Sequence, residues 1–343
     1  MKVTQRLSAS ARSCDDLLSQ FMWRTTRVEL PSTKGVPVSM DAEIPSPWSD
    51  TAARIVASKY FKVVNGVQES SVKQIVKRVV RTIEGWGLEH DYFESQNDAD
   101  VFGAELAFVL LGQYACFNSP VWFNFGVPGR TQQGSACFLL GLNDNMESIL
   151  NHGVDEGMIF KGGSGAGVNI STLRAEGESL STGGTSSGPM SFLKGWDKMS
   201  GAIKSGGTTR RAARMVIMDA DHPDIVAFIE SKVREEAKAR VLVAAGYGDA
   251  IDGEAYGTVS FQNANHSVGV TDEFMKLASV PEGASSEDWH LISRTAPRRS
   301  LQRAKAKPLL YAISQASCEC GYPGLFFKVT INAWNANLWD GEI

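Results

Sequence analysis

Phe117-Asn118-Ser119-Pro120-Val121-Trp122-Phe123-Asn124, followed by Gly134-Ser135-Ala136-Cys137-Phe138, is the stretch whose reading decides the fold. A turn leads into a strand-like segment, and that segment carries a single cysteine. A thiol held this way meets a substrate when the turn forms one wall of a pocket, which separates a cysteine that does chemistry from one that only packs.

The chain has 343 residues, 43% hydrophobic and 21% charged, a balance typical of a globular protein with one large domain or two ordinary ones. A formal charge of -4 and a pI near 5.8 supply no basic surface for a nucleic acid polymer, so a nucleotide partner is expected to be small and held by a specific loop. The longest apolar stretch, Val101 to Phe117, is broken by Glu105 and Gln113 and is shorter than the roughly 20 residues of a membrane helix. Residues 1–20 lack the apolar core of a secretory signal, which places the thiols in a reducing cytoplasm without static disulfides. The cysteines stand at 14, 116, 137, 318 and 320, with no Cys-x-x-Cys pair and no zinc spacing, so no metal site is expected. Cys14 and Cys116 read as small buried hydrophobes.

Val72, Ile75, Val76, Val79, Val80 and Ile83 recur at helical spacing after Ser71, and Gly85 and Gly87 offer a stop. A second helix is expected to open at Asn97-Asp98-Ala99-Asp100 and to run through Val101, Leu106, Val109 and Leu110, making the first third mostly helical. Beyond Pro128, β-prone runs (Ala136 to Leu142, Met215 to Met218, Thr258 to Phe261) alternate with helical patterns, which argues for a parallel α/β sheet. Asp144-x-x-Glu147 resembles a capping box, and Gly188-Pro189 starts a helix with Phe192, Trp196, Met199 and Ile203 on one stripe. His222-Pro223-Asp224 reads as a helix-entry turn rather than a metal ligand, Lys232 to Arg240 as a solvated face, and 276–307 as a surface helix pair or connection.

Three glycine clusters, 162–167, 183–188 and 205–207, the last leading to Arg210-Arg211, suit phosphate because backbone amides can approach an anion closely. None has dinucleotide or P-loop spacing. Ser164 lacks the glycine at 166 that a nucleophile elbow needs.

Taken in order, Pro45-x-x-Trp48-Ser49, Ser58-Lys59-Tyr60-Phe61, Phe117 to Asn124, Ser135 to Phe138, Ile159 to Gly165, Ile203 to Ala213, Asp221 to Ile225 and Phe261-Gln262-Asn263-Ala264-Asn265 resemble the adenosylcobalamin-dependent, class II ribonucleotide reductases. The resemblance covers nearly the whole chain. It implies an N-terminal, mostly helical region over 1–115 and, over 116–343, the first half of a ten-stranded α/β barrel. It implies reduction of ribonucleoside di- or triphosphates to 2′-deoxyribonucleotides, the precursors of DNA replication, with adenosylcobalamin as cofactor. Cys137 would be the N-terminal member of the redox pair, and Ser119, Ala136, Cys137 and Gly165 would line the substrate site. Asp144 and Arg174 would belong to a site for deoxynucleotide or ATP effectors at a homodimer interface, with Lys204, Arg210 and Arg211 on the loop that relays their signal. Without the resemblance, Asp144 reads as a helix cap and Arg174 as a solvated side chain.

The Asn-x-Cys-x-Glu loop that carries the family's radical cysteine is absent from the sequence; Asp340-Gly341-Glu342 imitates only its tail. Tyr322 and Gly269 stand where the family's aspartate and arginine are expected, and Cys318 and Cys320 read as structural. The second redox cysteine, the later half-barrel and the tail that meets a thioredoxin-type reductant are expected beyond residue 343, which leaves the chain incomplete and inactive alone. The alternatives are a non-catalytic nucleotide-binding and dimerisation module, an inactive remnant of the reductase, or an unrelated phosphate-binding α/β enzyme.

Overall fold

The computed structural model describes residues 1–8, 10–30, 38–203, 212–250, 253–281, 288–337, 339 and 341–343. The chain forms two compact units, Met1–Ala136 and Cys137–Ile343.

The first unit contains α1 (Cys14–Gln20), β1 (Trp23–Leu30), β2 (Val38–Pro45), α2 (Asp50–Lys59), β3 (Val63–Val64), β4 (Val67–Gln68), α3 (Val72–Glu89), α4 (Gln96–Leu111) and α5 (Ser119–Asn124). Its core joins the α3 stripe Val72, Ile75, Val76 and Val80 to Ala104, Ala107, Leu110 and Leu111 of α4. Ser71 and Gln74 close a reciprocal capping box at the start of α3. Gly85 and Gly87 do not stop this helix, which continues to Glu89. At Gly87 the missing side chain is a packing device, since a Cβ there would collide with the Phe93 ring. The next helix is capped by Ser95, whose hydroxyl accepts from Asp98 N, and not by the cluster from Asn97. Nor is the region helical throughout: β1 and β2 pair antiparallel from Trp23↔Pro45 to Leu30↔Val38. Cys14 is fully buried, as expected, whereas Cys116 is exposed.

The second unit contains β5 (Cys137–Leu140), α6 (Met146–Lys161), β6 (Gly165–Asn169), α7 (Pro189–Ala202), β7 (Arg214–Asp219), α8 (Ile225–Ala244), α9 (Glu254–Thr258), β8 (Ala264–Val270), α10 (Asp272–Ala278), β9 (Asp288–Ile292), β10 (Ser300–Lys305), α11 (Ala306–Cys320), β11 (Gly324–Phe327) and α12 (Lys328–Ala333). Five strands form one parallel sheet in the order β11-β8-β7-β6-β5. This is the α/β architecture expected, with the barrel not closed.

Side chains alternate across the sheet. Val168, Val216, Met218, Val268 and Val270 enter the main core with Leu193 and Trp196 of α7, Phe228 of α8 and Ile313 of α11. Cys137, Leu139, Gly165, Gly167, Met215, Ile217 and Gly269 fall on the opposite, inner face by the strand register. Asn145, not Asp144, caps α6 by accepting from Ser148 N, and Ser148 Oγ accepts from Asn143 N, so the capping box read from Asp144 to Glu147 does not form. The Thr258 to Phe261 run is not a strand: α9 ends at Thr258, and Phe261 has a left-handed φ of 63°, incompatible with extended backbone. Residues 276–307 are not a helix pair either. They hold the antiparallel hairpin β9–β10, anchored where Trp289 Nε1 donates to Ala220 O at 2.9 Å. The charged run from Lys232 is only partly solvated, because Glu235 is buried and accepts from Ser260 N at 2.8 Å and from Lys238 Nζ at 2.6 Å.

Behind the sheet, Arg214 at the start of β7 donates through Nε and Nη2 to the two carboxylate oxygens of Glu156 on α6. Its Nη2 also donates to Ser200 Oγ of α7 at 2.6 Å. Both charged side chains are fully buried. Burial pushes the Glu156 carboxyl up, but the guanidinium hydrogen bonds outweigh it and hold the group below the usual carboxylate range. The pair therefore stabilises the fold above the unfolded-state pKa of about 4.3, and that contribution is lost as pH falls through the lower folded value. Glu156→Gln, which leaves a buried guanidinium without its counter-charge, is expected to cost about 3 to 5 kcal/mol in denaturant unfolding. A cost under about 1 kcal/mol would refute the assignment.

Candidate functional site

Cys137 opens β5 with its side chain on the exposed, inner face, and its register partner is Gly165, the first residue of β6. The β6 part of that face is bare because the sequence places Gly165 and Gly167 there at period two. A Cβ at Gly167 would stand 2.9 Å from Leu139 Cδ2, so glycine gives Leu139 the room it occupies. A cleft of about 450 Å³ lies over the face, lined by Cys137, Leu139, Gly167, Met215, Phe326 and Asn335 among others. Its rim is the end of the chain: Asn335 Nδ2 donates to Gly341 O at 3.1 Å, and Ile343 N donates to Asn332 Oδ1 at 2.9 Å. Among the described residues Cys137 is the one thiol lining this cleft.

The other residues singled out from sequence fall into separate groups. Ser119 belongs to the first unit, at the start of α5, with its hydroxyl 3.0 Å from Tyr60 Oη. Ala136 is the last residue of that unit. Asp144 and Arg174 meet each other: Arg174 Nε donates to Asp144 Oδ2 at 2.6 Å and its backbone N to Oδ1 at 3.2 Å. This pair joins the loops that follow β5 and β6, at the carboxyl ends of the strands, where parallel sheets form ligand crevices. Asp144 is therefore no helix cap, and Arg174, 22% exposed, is no freely solvated side chain. Lys204, Arg210 and Arg211 lie outside the described residues.

His222 is fully buried, with Nε2 2.9 Å from Leu173 O and Nδ1 accepting from Asp224 N at 3.0 Å. Nδ1 serves the helix-entry turn and Nε2 ties that turn to the loop after β6, and burial, the largest influence, holds the imidazole below its ordinary pKa. No group of three or more His, Cys, Asp or Glu side chains suited to a metal occurs among the described residues. The first unit has an apolar cavity of about 410 Å³ lined by Trp48, Tyr60 and Trp122, but their polar atoms are already bonded to Leu111 O, Ser119 Oγ and Phe117 O. Met215, Phe326 and Asn335 were missed from sequence. Alternation along β7 could have found Met215; four-residue β11 is too short to show a period.

A family model described as "Ribonucleotide reductase, barrel domain" matches residues 135–343, and one described as "Class II vitamin B12-dependent ribonucleotide reductase" matches 63–113. The chain belongs to the class II ribonucleotide reductases. It is 45% identical over 329 residues to a vitamin B12-dependent ribonucleotide reductase of Streptomyces clavuligerus, covering 94% of this chain and 34% of that one. With the enzyme of the same name from Streptomyces coelicolor it shares 48% over 303 residues, 88% of this chain and 31% of the relative. More distant is a vitamin B12-dependent ribonucleoside-diphosphate reductase of Thermoplasma acidophilum, 33% identical over 227 residues, 66% of this chain and 26% of that protein. The chain spans about a third of the length of the two Streptomyces relatives.

Adenosylcobalamin is the B12 form used by class II reductases. The residues present fit one side of such a group: Leu139, which lies over Gly167, would give it apolar contact together with Met215 and Phe326. When bound, the group supplies a carbon-centred radical by cleavage of its cobalt–carbon bond.

Thiol accessibility follows from this geometry. Cys116, Cys137 and Cys318 are exposed, whereas burial pushes the Cys14 thiol up to about 12, with the Glu84 carboxylate adding to the rise. Timed alkylation with iodoacetamide, read by peptide mass spectrometry, is expected to label Cys137 at least tenfold faster than Cys14. Equal rates would remove the Cys137 thiol from the cleft surface.

Proposed function

We propose that this chain serves the reduction of ribonucleotides to 2′-deoxyribonucleotides as the N-terminal part of a B12-dependent reductase, contributing a pocket wall, one redox thiol and an effector site. The observation that carries the reading is the exposed Cys137 thiol on a cleft of about 450 Å³, in register with Gly165 of the neighbouring strand. Cys137, with a second thiol from the rest of the reductase, would give up two electrons and two protons as the 2′ hydroxyl leaves as water. The resulting disulfide would be reset by a thioredoxin-type dithiol in a reducing cytoplasm. No helix among the described residues is long and apolar enough to cross a membrane.

Ser119, Ala136 and Gly165 would hold the ribonucleotide. The name of the Thermoplasma relative favours a diphosphate over a triphosphate. Asp144 and Arg174, with Lys204, Arg210 and Arg211, would form the site for deoxynucleotide or ATP effectors. A homodimer is supported by the outer face of α6, where Met146, Leu150, Val154 and Met158 recur every fourth residue at 58%, 62%, 62% and 60% exposure. A second reading, a non-catalytic nucleotide-binding and dimerisation module or a remnant of the reductase, draws on the single thiol in the cleft and the intact Asp144–Arg174 pair.

Three measurements separate these readings. Cys137→Ser is expected to abolish B12-dependent reduction when the remaining two thirds of a class II reductase is supplied, and to leave deoxynucleotide affinity unchanged. Asp144→Ala is expected to weaken that affinity at least tenfold. Reductase activity that survives Cys137→Ser would overturn the catalytic role, and failure with every C-terminal partner would favour the module or remnant. Val154→Asp, tested by sedimentation, is expected to convert a dimer to monomer; an unaffected dimer would exclude this face.

A further inference from the structure

Asp219 ends β7 and Lys328 opens α12, and the lysine Nζ lies 2.9 Å from Asp219 Oδ2, with the two side chains 19% and 20% exposed. Strand β8 runs between β7 and β11, so this ion pair has to pass over a strand backbone. It passes at Gly269, the register partner of both Asp219 and Phe326. A Cβ on residue 269 would stand 2.5 Å from Asp219 Oδ1 and 3.2 Å from Lys328 Cδ, so the bridge needs the glycine for space. Asp219 Oδ1, which faces that space, is buried without a hydrogen-bond partner.

The lysine also founds a chain of contacts leading to the cleft. Its carbonyl accepts from Asn332 Nδ2 at 3.0 Å, Asn332 Oδ1 accepts from Ile343 N, and Asn335 takes Gly341 O. Asn335, Gly341 and Ile343 all line the cleft that Cys137 faces.

We infer that Lys328 is a positioning residue: by reaching Asp219 across Gly269 it seats α12, and through Asn332 and Asn335 it holds Asn335, Gly341 and Ile343, the wall of the cleft, against the sheet. The cation that meets Asp219 comes from Lys328, over the gap that Gly269 leaves. The role concerns the shape of the cleft and holds whatever reaction the cleft serves, so its failure and the failure of the reductase reading are separate outcomes.

The full chain is compared with Lys328→Met, Asp219→Asn and Gly269→Ala. The readouts are hydrogen exchange of the amides from 328 onward and the iodoacetamide rates of Cys137, Cys116 and Cys318. Lys328→Met and Asp219→Asn are expected to raise exchange in that segment and the Cys137 rate at least threefold, with Cys116 and Cys318 unchanged. Gly269→Ala, whose Cβ would stand 2.5 Å from Asp219 Oδ1, is expected to move both readouts in the same direction. A Cys137 rate that stays constant in Lys328→Met or Asp219→Asn, or that rises in step with all three thiols, overturns the inference. Should Gly269→Ala fail to fold, Lys328→Met and Asp219→Asn decide alone: a selective Cys137 rise in both upholds the role, and its absence in either overturns it.

Discussion

The second unit is organised around one buried charge couple. Glu156 and Arg214 are sealed behind the sheet, and taking two ions out of water is tolerated only because each lies in the other's hydrogen-bonding geometry. Their cost to bury separately is the reason they constrain the structure together. One guanidinium ties α6 through Glu156 and α7 through Ser200 to the first residue of β7. The crossovers between β5, β6 and β7 are thereby fixed at a common depth, and the Cys137↔Gly165 and Ala166↔Arg214 register follows on the other side of the same strands.

That arrangement gives the two faces of the sheet different tasks. The helix side takes the branched apolar residues, Val168, Val216 and Val268, and supplies the burial that stabilises the unit. The inner side is left with glycines, a thiol, Met215 and the polar ends of the rim. Small side chains there reduce packing and give room for a ligand. Stability and chemistry are separated by the period of two that every strand imposes.

Much of this was legible in the chain. The α3 stripe, the α/β alternation after Pro128 and the helix from Pro189 each follow from one period read over enough residues. The failures have a common physical source. Gly85 and Gly87 looked like stops, but tertiary packing against Phe93 outweighs the local penalty for glycine in a helix. The 276–307 region carries too little apolar alternation to announce β9 and β10, whose stability comes from Trp289 reaching Ala220. At the site, the sequence could nominate Asp144 and Arg174 only singly, since nothing local states that residues thirty positions apart share a hydrogen bond. The cleft wall at Asn335 was likewise invisible, because short β11 and α12 place it through long-range contacts.

The inner face also sets a physical condition on any function the chain performs. A parallel sheet is ordinarily covered on both faces, because its strands are apolar on both. Here Leu139 is 63% exposed, while among the described residues β5 and β11 end the sheet with unpaired edges. Edge strands with free amides and carbonyls recruit further strands, and an apolar open face recruits a second layer. A small ligand over Cys137 would cover part of the face and would leave both edges unpaired. Further strands pairing at β5 and β11 would answer both demands at once, and they would turn the cleft beside Cys137 from an open groove into an enclosed pocket. The geometry that exposes the thiol is therefore the same geometry that leaves the sheet open to a further layer.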